Sequence, residues 1–287
     1  MKNINSQVKI VIIDNKEYIE KTFNKKDKKR YLKERDFYLF CNNNRIEHVP
    51  KLLHHDNASR TLNIEKIVIA QPDKKIYFEP AIIELLKRIQ ELYLKGYPHY
   101  ANEAVTSEID IINHIKARYK NIRKSTFDSN MTGINYNGVE SLFKRLASYE
   151  KKIKPETFEL IPSPSDIGKH NFIKTRASYF FIDFEYAGLD SYLKIIYDYV
   201  LHPKNLIKPN MHKKKINTLF KKLDLGKQFE KNIYGLFTIW WIFRLIQSLS
   251  NETIKDRKDK GILTSYNINR YLFERKNNIL FFHNLLS

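Results

Sequence analysis

The sequence predicts an α+β fold of two lobes, a small β-rich N-terminal lobe and a larger, mainly helical C-terminal lobe carrying a lone hairpin. Three observations predict it. Alternating β patterning is confined to about the first 70 residues, apolar residues at helical spacing dominate the rest, and one short β pair interrupts the helical half between residues 171 and 184. Gln71-Pro72-Asp73 breaks the pattern and sets the boundary, giving lobes of residues 1–71 and 72–287.

In the first lobe, Val8–Ile13 and Tyr18–Phe23 read as strands joined by the turn Asp14-Asn15-Lys16-Glu17. A charged helix is expected from about Lys26 to Phe40, then an extended segment from Thr61 to Ile69. Beyond the boundary the period becomes helical. Pro80 suits a first helical position, and Ile82, Leu85, Leu86, Ile89 and Tyr93 share one face. Ser107 and Asp110 resemble a capping box ahead of the stripe Ile111, Ile112, Ile115, Tyr119 and Ile122. Val139 to Tyr149 makes a third helix, Gln228 to Leu249 a fourth, and a last one covers the C-terminus. Between the third and fourth lie two short β runs, Asn171–Lys174 and Tyr179–Phe184, with Thr175-Arg176-Ala177-Ser178 between them. Two strands are marginal alone, so a hairpin there needs a reason.

Composition narrows the function classes. The single cysteine, Cys41, cannot form an internal disulfide and fits a reducing compartment. The N-terminal residues lack the basic, apolar, small-residue order of a secretory leader. The most apolar stretch, Ile233 to Ile242, is stopped by Arg244 and falls short of the roughly 20 residues a bilayer needs. A soluble cytoplasmic protein is expected. The net charge of +19 favours anionic partners. It also leaves open a nucleic-acid-binding protein, although the lysines are spread along the chain and no nucleic-acid motif accompanies them. There is no Walker lysine motif, no Gly-x-Ser-x-Gly elbow and no cysteine pair for zinc. His48, His54, His55, His99, His114 and His202 show no metal-ligand spacing, and surface or capping roles are expected for them.

The hairpin carries the chemistry. Asp166 precedes Asn171 by five residues, and Asp183 lies at the end of the second β run. Folding the hairpin brings Asn171 and Asp183 to one end, with Asp166 on the loop leading in. One carboxylate can accept a proton from a hydroxyl nucleophile, while the other carboxylate and the amide offer the oxygen ligands that Mg²⁺ prefers. Asp166, Asn171 and the segment Ile182-Asp183-Phe184-Glu185-Tyr186-Ala187-Gly188 together resemble the signature of the aminoglycoside phosphotransferase and choline kinase family, which has a protein kinase-like fold. The resemblance implies a catalytic base at Asp166, metal ligands at Asn171 and Asp183, and ATP and Mg²⁺ as cofactors. It further implies a phosphate-contacting lysine at Lys21 paired with Glu34, and a hinge strand around Glu65 and Ile67 whose backbone meets adenine.

Three departures accompany the resemblance. Pro164-Ser165 stands where the family has His-Gly, the first glycine is Gly96, and Asn3–Gln7 is the only segment placed to substitute for a glycine-rich loop. The usual first strand is expected to be short or missing. The reading is an ATP- and Mg²⁺-dependent phosphotransferase acting on a hydroxyl of a small molecule. On electrostatic grounds the acceptor is a sugar, a surface-glycan precursor or another anionic metabolite rather than a polycation. A kinase-like protein that binds nucleotide without catalysis is the alternative that the glycine-free lobe suggests. Glu185 and Asp190 are expected either to face the acceptor or to fix the loop. No Ala-Pro-Glu activation segment follows Asp183, which disfavours a protein kinase.

Overall fold

A computed structural model describes residues 6–71, 77–92, 97–152, 156–259 and 263–286. The boundary residues Pro72 and Asp73, Tyr93 of the first helical stripe, Gly96, and Asn3 to Asn5 lie outside them. The chain forms two compact units. The first comprises Met1–Ala104, Glu159–Leu206 and Thr218–Lys227, and the second Val105–Phe158, Ile207–Asn217 and Gln228–Ser287.

The first unit opens with β1 (Ser6–Ile13) and β2 (Lys16–Phe23), paired in register from Ser6↔Phe23 to Ile13↔Lys16. The turn is tighter than the sequence suggests. Only Asp14 and Asn15 connect the strands, both at positive φ (49° and 59°), the conformation of a two-residue hairpin turn that Asp and Asn tolerate well. After helix α1 (Lys28–Asn43) come β3 (Leu52–Asp56) and β4 (Thr61–Glu65), completing an antiparallel sheet of order β1-β2-β4-β3. β3 was not foreseen, because Leu-Leu-His-His-Asp lacks β-branched residues and alternation.

Two features of this sheet and helix position charge. Lys21 and Phe23 alternate onto the buried side of β2, as the pleat requires. On α1 the buried positions are Tyr31, Glu34, Phe37, Tyr38 and Cys41, so a carboxylate sits inside the apolar stripe. Such a group costs stability unless it is paired.

Helix α2 (Phe78–Gln90) begins two residues before Pro80 and buries Ile82, Ile83, Leu85, Leu86 and Ile89. The rest of the unit holds a pair β5 (Leu160–Ser163) and β8 (Gly188–Ser191), a hairpin β6 (Phe172–Lys174) and β7 (Tyr179–Phe181), and helix α6 (Tyr192–Leu201). The hairpin gains support that two strands alone would lack: Phe172 and Phe181 pack against Phe78 of α2 at ring distances of 5.1 and 6.1 Å. Its strands are shorter than expected, ending at Phe181 rather than Phe184.

The second unit is helical. Its helices are α3 (Glu108–Lys124), α4 (Ser129–Thr132), α5 (Tyr136–Glu150), α8 (Lys231–Ser248), α9 (Asn251–Asp259) and α10 (Ile268–Asn284), and α7 (Pro209–Lys222) is divided between the units. Ser107 and Asp110 do form a reciprocal capping box at the start of α3. α8 is buried on all sides from Leu236 to Phe243, so its sequence is apolar without a single face. No helix among the described residues is long and apolar enough to cross a membrane.

Candidate active site

All the sequence-derived site residues fall in the first unit. Lys21 reaches from β2 to two carboxylates. Its Nζ lies 2.7 Å from Glu34 Oε2 and 2.6 Å from Asp183 Oδ1. Burial alone would lower its pKa, but Glu34, Asp183 and Glu185 together more than reverse that, so the ammonium is retained. Burial pushes Glu34 up, Lys21 opposes this, and the nearby Asp183 adds to the rise, leaving it at about 7.

A buried aromatic cluster holds this arrangement. Phe184, next to Asp183, packs on Phe37 and Tyr38 of α1 at ring distances of 4.5 and 5.1 Å. The helix that supplies Glu34 is thereby fixed against the segment that supplies Asp183. Asp183 itself is not at the strand end but two residues beyond β7, at φ 67°. Left-handed backbone at a non-glycine residue costs of order 1–3 kcal/mol and persists only where the surroundings enforce it. Here the preceding Ile182 N–H donates to the Asn171 carbonyl at 3.0 Å, which ties the Asp183 turn to the start of the hairpin.

Asn171 is buried at the end of a short 3₁₀ turn, Lys169–Asn171. Its Nδ2 donates to the Asp166 carbonyl at 3.2 Å, so the amide oxygen is the end left to accept. A carboxylate and an amide oxygen suit a hard cation such as Mg²⁺, and Asn171 and Asp183 fit that donor set. Glu34, Asp183 and Glu185 also bring carboxylate oxygens within 4.8 Å of one another. Lys21 already neutralises part of that charge.

Asp166 follows Ser165, which sits at φ 63°, in a turn closed by Asp166 N–H to the Pro164 carbonyl at 2.8 Å. Two histidines absent from the sequence-derived site flank it. His170 Nε2 is 3.4 Å from Oδ2 and His202 Nε2 is 3.4 Å from Oδ1. His202 Nδ1 accepts the Lys204 backbone N–H at 3.1 Å, which assigns the proton to Nε2 and makes that nitrogen a donor to Asp166 rather than a metal ligand. The expected capping role of His202 is thus present together with a second contact. Burial would raise Asp166, but the two imidazoles outweigh it and hold the carboxyl well below the usual range. His170 could have been noticed as a neighbour at i+4, whereas His202 is brought in only by the fold. Gly168 makes room for both, since a Cβ there would lie 2.4 Å from the His170 ring and 2.8 Å from that of His202.

The remaining candidates separate clearly. Asp190 is fully buried, accepts from the Ser191 N–H at 2.9 Å and pairs with Lys194 at 2.9 Å, so it fixes the loop. Lys194 also meets Asp198 at 3.0 Å. Glu185 is buried 3.6 Å from Arg30, which itself lies over the Tyr186 ring. Glu65 ends β4, with its N–H bonded to the Lys51 carbonyl at 2.9 Å, and Ile67 follows in irregular chain. Neither lies in the Lys21 and Asp183 cluster.

Gly188 closes the signature segment where Tyr100 and Ala101 run against β8. A Cβ on it would meet Tyr100 C and Ala101 N at 2.3 Å, both backbone atoms that cannot turn aside. Gly188→Ala is expected to cost about 2 kcal/mol or more, measured by urea unfolding. An unchanged midpoint would show that the Tyr100 segment yields.

No protein-family model matches the sequence, and no curated protein matches it by sequence. Solved structures do resemble it. A choline/ethanolamine kinase family protein from Mesorhizobium loti matches with a TM-score of 0.55 at 12% identity, covering 94% of this chain and 92% of that one. Choline kinase LicA from Streptococcus pneumoniae gives 0.57 at 16% identity, with coverage of 97% and 89%. A spectinomycin phosphotransferase, solved with ADP and spectinomycin, gives 0.58 at 13% identity, with coverage of 98% and 88%. This chain has the two-lobed, protein kinase-like α+β fold that choline kinases and aminoglycoside phosphotransferases share.

Proposed function

We propose that the protein is an ATP- and Mg²⁺-dependent phosphotransferase acting on a hydroxyl of a small molecule. The observation that carries the reading is Lys21 held between Glu34 and Asp183 at 2.7 and 2.6 Å, in a fold that small-molecule kinases share. Asp166 orients the acceptor hydroxyl and takes its proton. Because His170 and His202 keep its carboxyl strongly acidic, orientation is the larger part of that role. Lys21, positioned by Glu34, contacts the nucleotide phosphates. Asn171 and Asp183 would hold the metal, whose charge supports the transfer when bound. The backbone near Glu65 and Ile67 is the proposed adenine contact.

The acceptor proposed is neutral or anionic, a sugar or surface-glycan precursor, because a chain of net charge +19 repels polycations. ADP release with Mg²⁺ and ATP across neutral, anionic and cationic alcohols, repeated over a salt series, tests this. Preference for the cationic alcohols would overturn the acceptor class, and no release with any of them would favour the non-catalytic reading. That second reading rests on the N-terminal 71 residues, which contain no glycine for a phosphate-covering loop.

A further inference from the structure

Three arginines from three helices of the second unit gather around two aromatic rings. Tyr271 on α10 faces Arg275 of the same helix and Arg257 of α9, each guanidinium carbon 5.2 Å from the ring centroid. Arg244 of α8 stacks on Trp241 at 4.7 Å. The Tyr271 hydroxyl donates to the Ser248 carbonyl at 3.0 Å, which fixes the ring that both guanidiniums share.

The charges are not balanced locally. Burial lowers the pKa of Arg275, Tyr271 partly offsets this, and the like charges of Arg257 and Arg244 lower it further. Among the described residues no carboxylate forms an ion pair with any of the three, and the nearby Glu274 is bonded to Arg270 at 2.9 Å. A guanidinium cannot relieve the repulsion by losing its proton. The Tyr271 and Trp241 rings hold the guanidiniums by cation–π contact, and Tyr271 also offers its oxygen to Arg275.

We infer that Arg244, Arg257 and Arg275 form a binding site for a small phosphoryl oxyanion, either inorganic phosphate or a phosphate monoester. Such a ligand brings up to two negative charges and three acceptor oxygens, matching several guanidinium forks, whereas a single carboxylate would leave most of the charge uncompensated. The inference does not depend on phosphotransfer, so either can fail without the other.

Titration calorimetry and thermal shift at constant ionic strength test it, with inorganic phosphate, glycerol phosphate and chloride, on wild type, Arg257→Gln/Arg275→Gln and Arg275→Lys. Phosphate should stabilise the wild type saturably and beyond chloride. The double variant should bind phosphate at least about 10-fold more weakly, and Arg275→Lys should fall between, keeping the charge but losing the fork. Tighter binding of glycerol phosphate than of phosphate would identify a monoester as the ligand, and the reverse would identify the free ion. An unchanged phosphate response in the double variant would place the anion elsewhere, for example at Lys21, and overturn the inference. So would equal stabilisation by chloride, or a response confined to polynucleotides. Should the double variant fail to fold by circular dichroism, Arg244→Gln carries the same expectation of weakened phosphate binding, and wild-type affinity in it would be decisive against the site.

Discussion

Asp166→Asn is expected to lower phosphoryl transfer by about 10²–10⁴-fold while leaving the fold and nucleotide binding intact. The substitution keeps the size of the side chain and the backbone bonds that define its loop, namely Asp166 N–H to Pro164 and the Asn171 amide to the Asp166 carbonyl. What it removes is the charge proposed to meet the acceptor hydroxyl and one of the two oxygens facing His170 and His202. Binding and catalysis should therefore separate, with ADP release collapsing and the affinity for Mg·ATP moving little. A rate within about threefold of wild type would remove Asp166 from the chemistry.

Lys21→Met should have the largest effect on stability, about 3–5 kcal/mol by urea unfolding, because it leaves Glu34 and Asp183 without their shared partner. Glu34 is the more costly of the two, being almost completely buried within the aromatic stripe of α1. Lys21→Met/Glu34→Gln should therefore recover part of the loss, even though it removes a second charged group. If the double variant were less stable than the single one, the cost would lie in packing rather than in an unpaired charge.

The hairpin of β6 and β7 was legible in the sequence because its information is local. The five-residue step from Asp166 to Asn171, the turn Thr175–Ser178 and the Ile-Asp-Phe-Glu segment all lie within one short stretch. Glu34 came from the resemblance, as the expected partner of Lys21 on the helix after the first hairpin, and its burial among Tyr31, Phe37, Tyr38 and Cys41 is visible only in the fold. The pair β5 and β8 was missed, since Leu-Ile-Pro-Ser and Gly-Leu-Asp-Ser are too short and too poor in β-branched residues to read as strands. α6 buries every residue from Tyr192 to Leu201, which erases the period that would have marked it. The histidine partners of Asp166 show the same limit at the site. His202 joins it across 36 positions of chain, through a cap on the Lys204 N–H that no spacing rule encodes.

The central claim is a metal-dependent nucleotide site built on Asp183. It is tested most directly by thermal-shift titration of ATP with and without Mg²⁺, each protein compared with its own unliganded baseline. Wild type should be stabilised only when both are present, by about 2.7 kcal/mol at a nucleotide concentration 100 times Kd, and Asp183→Ala should show no metal-dependent increment. Equal stabilisation without Mg²⁺ or in Asp183→Ala, or none at millimolar nucleotide in wild type, would contradict it.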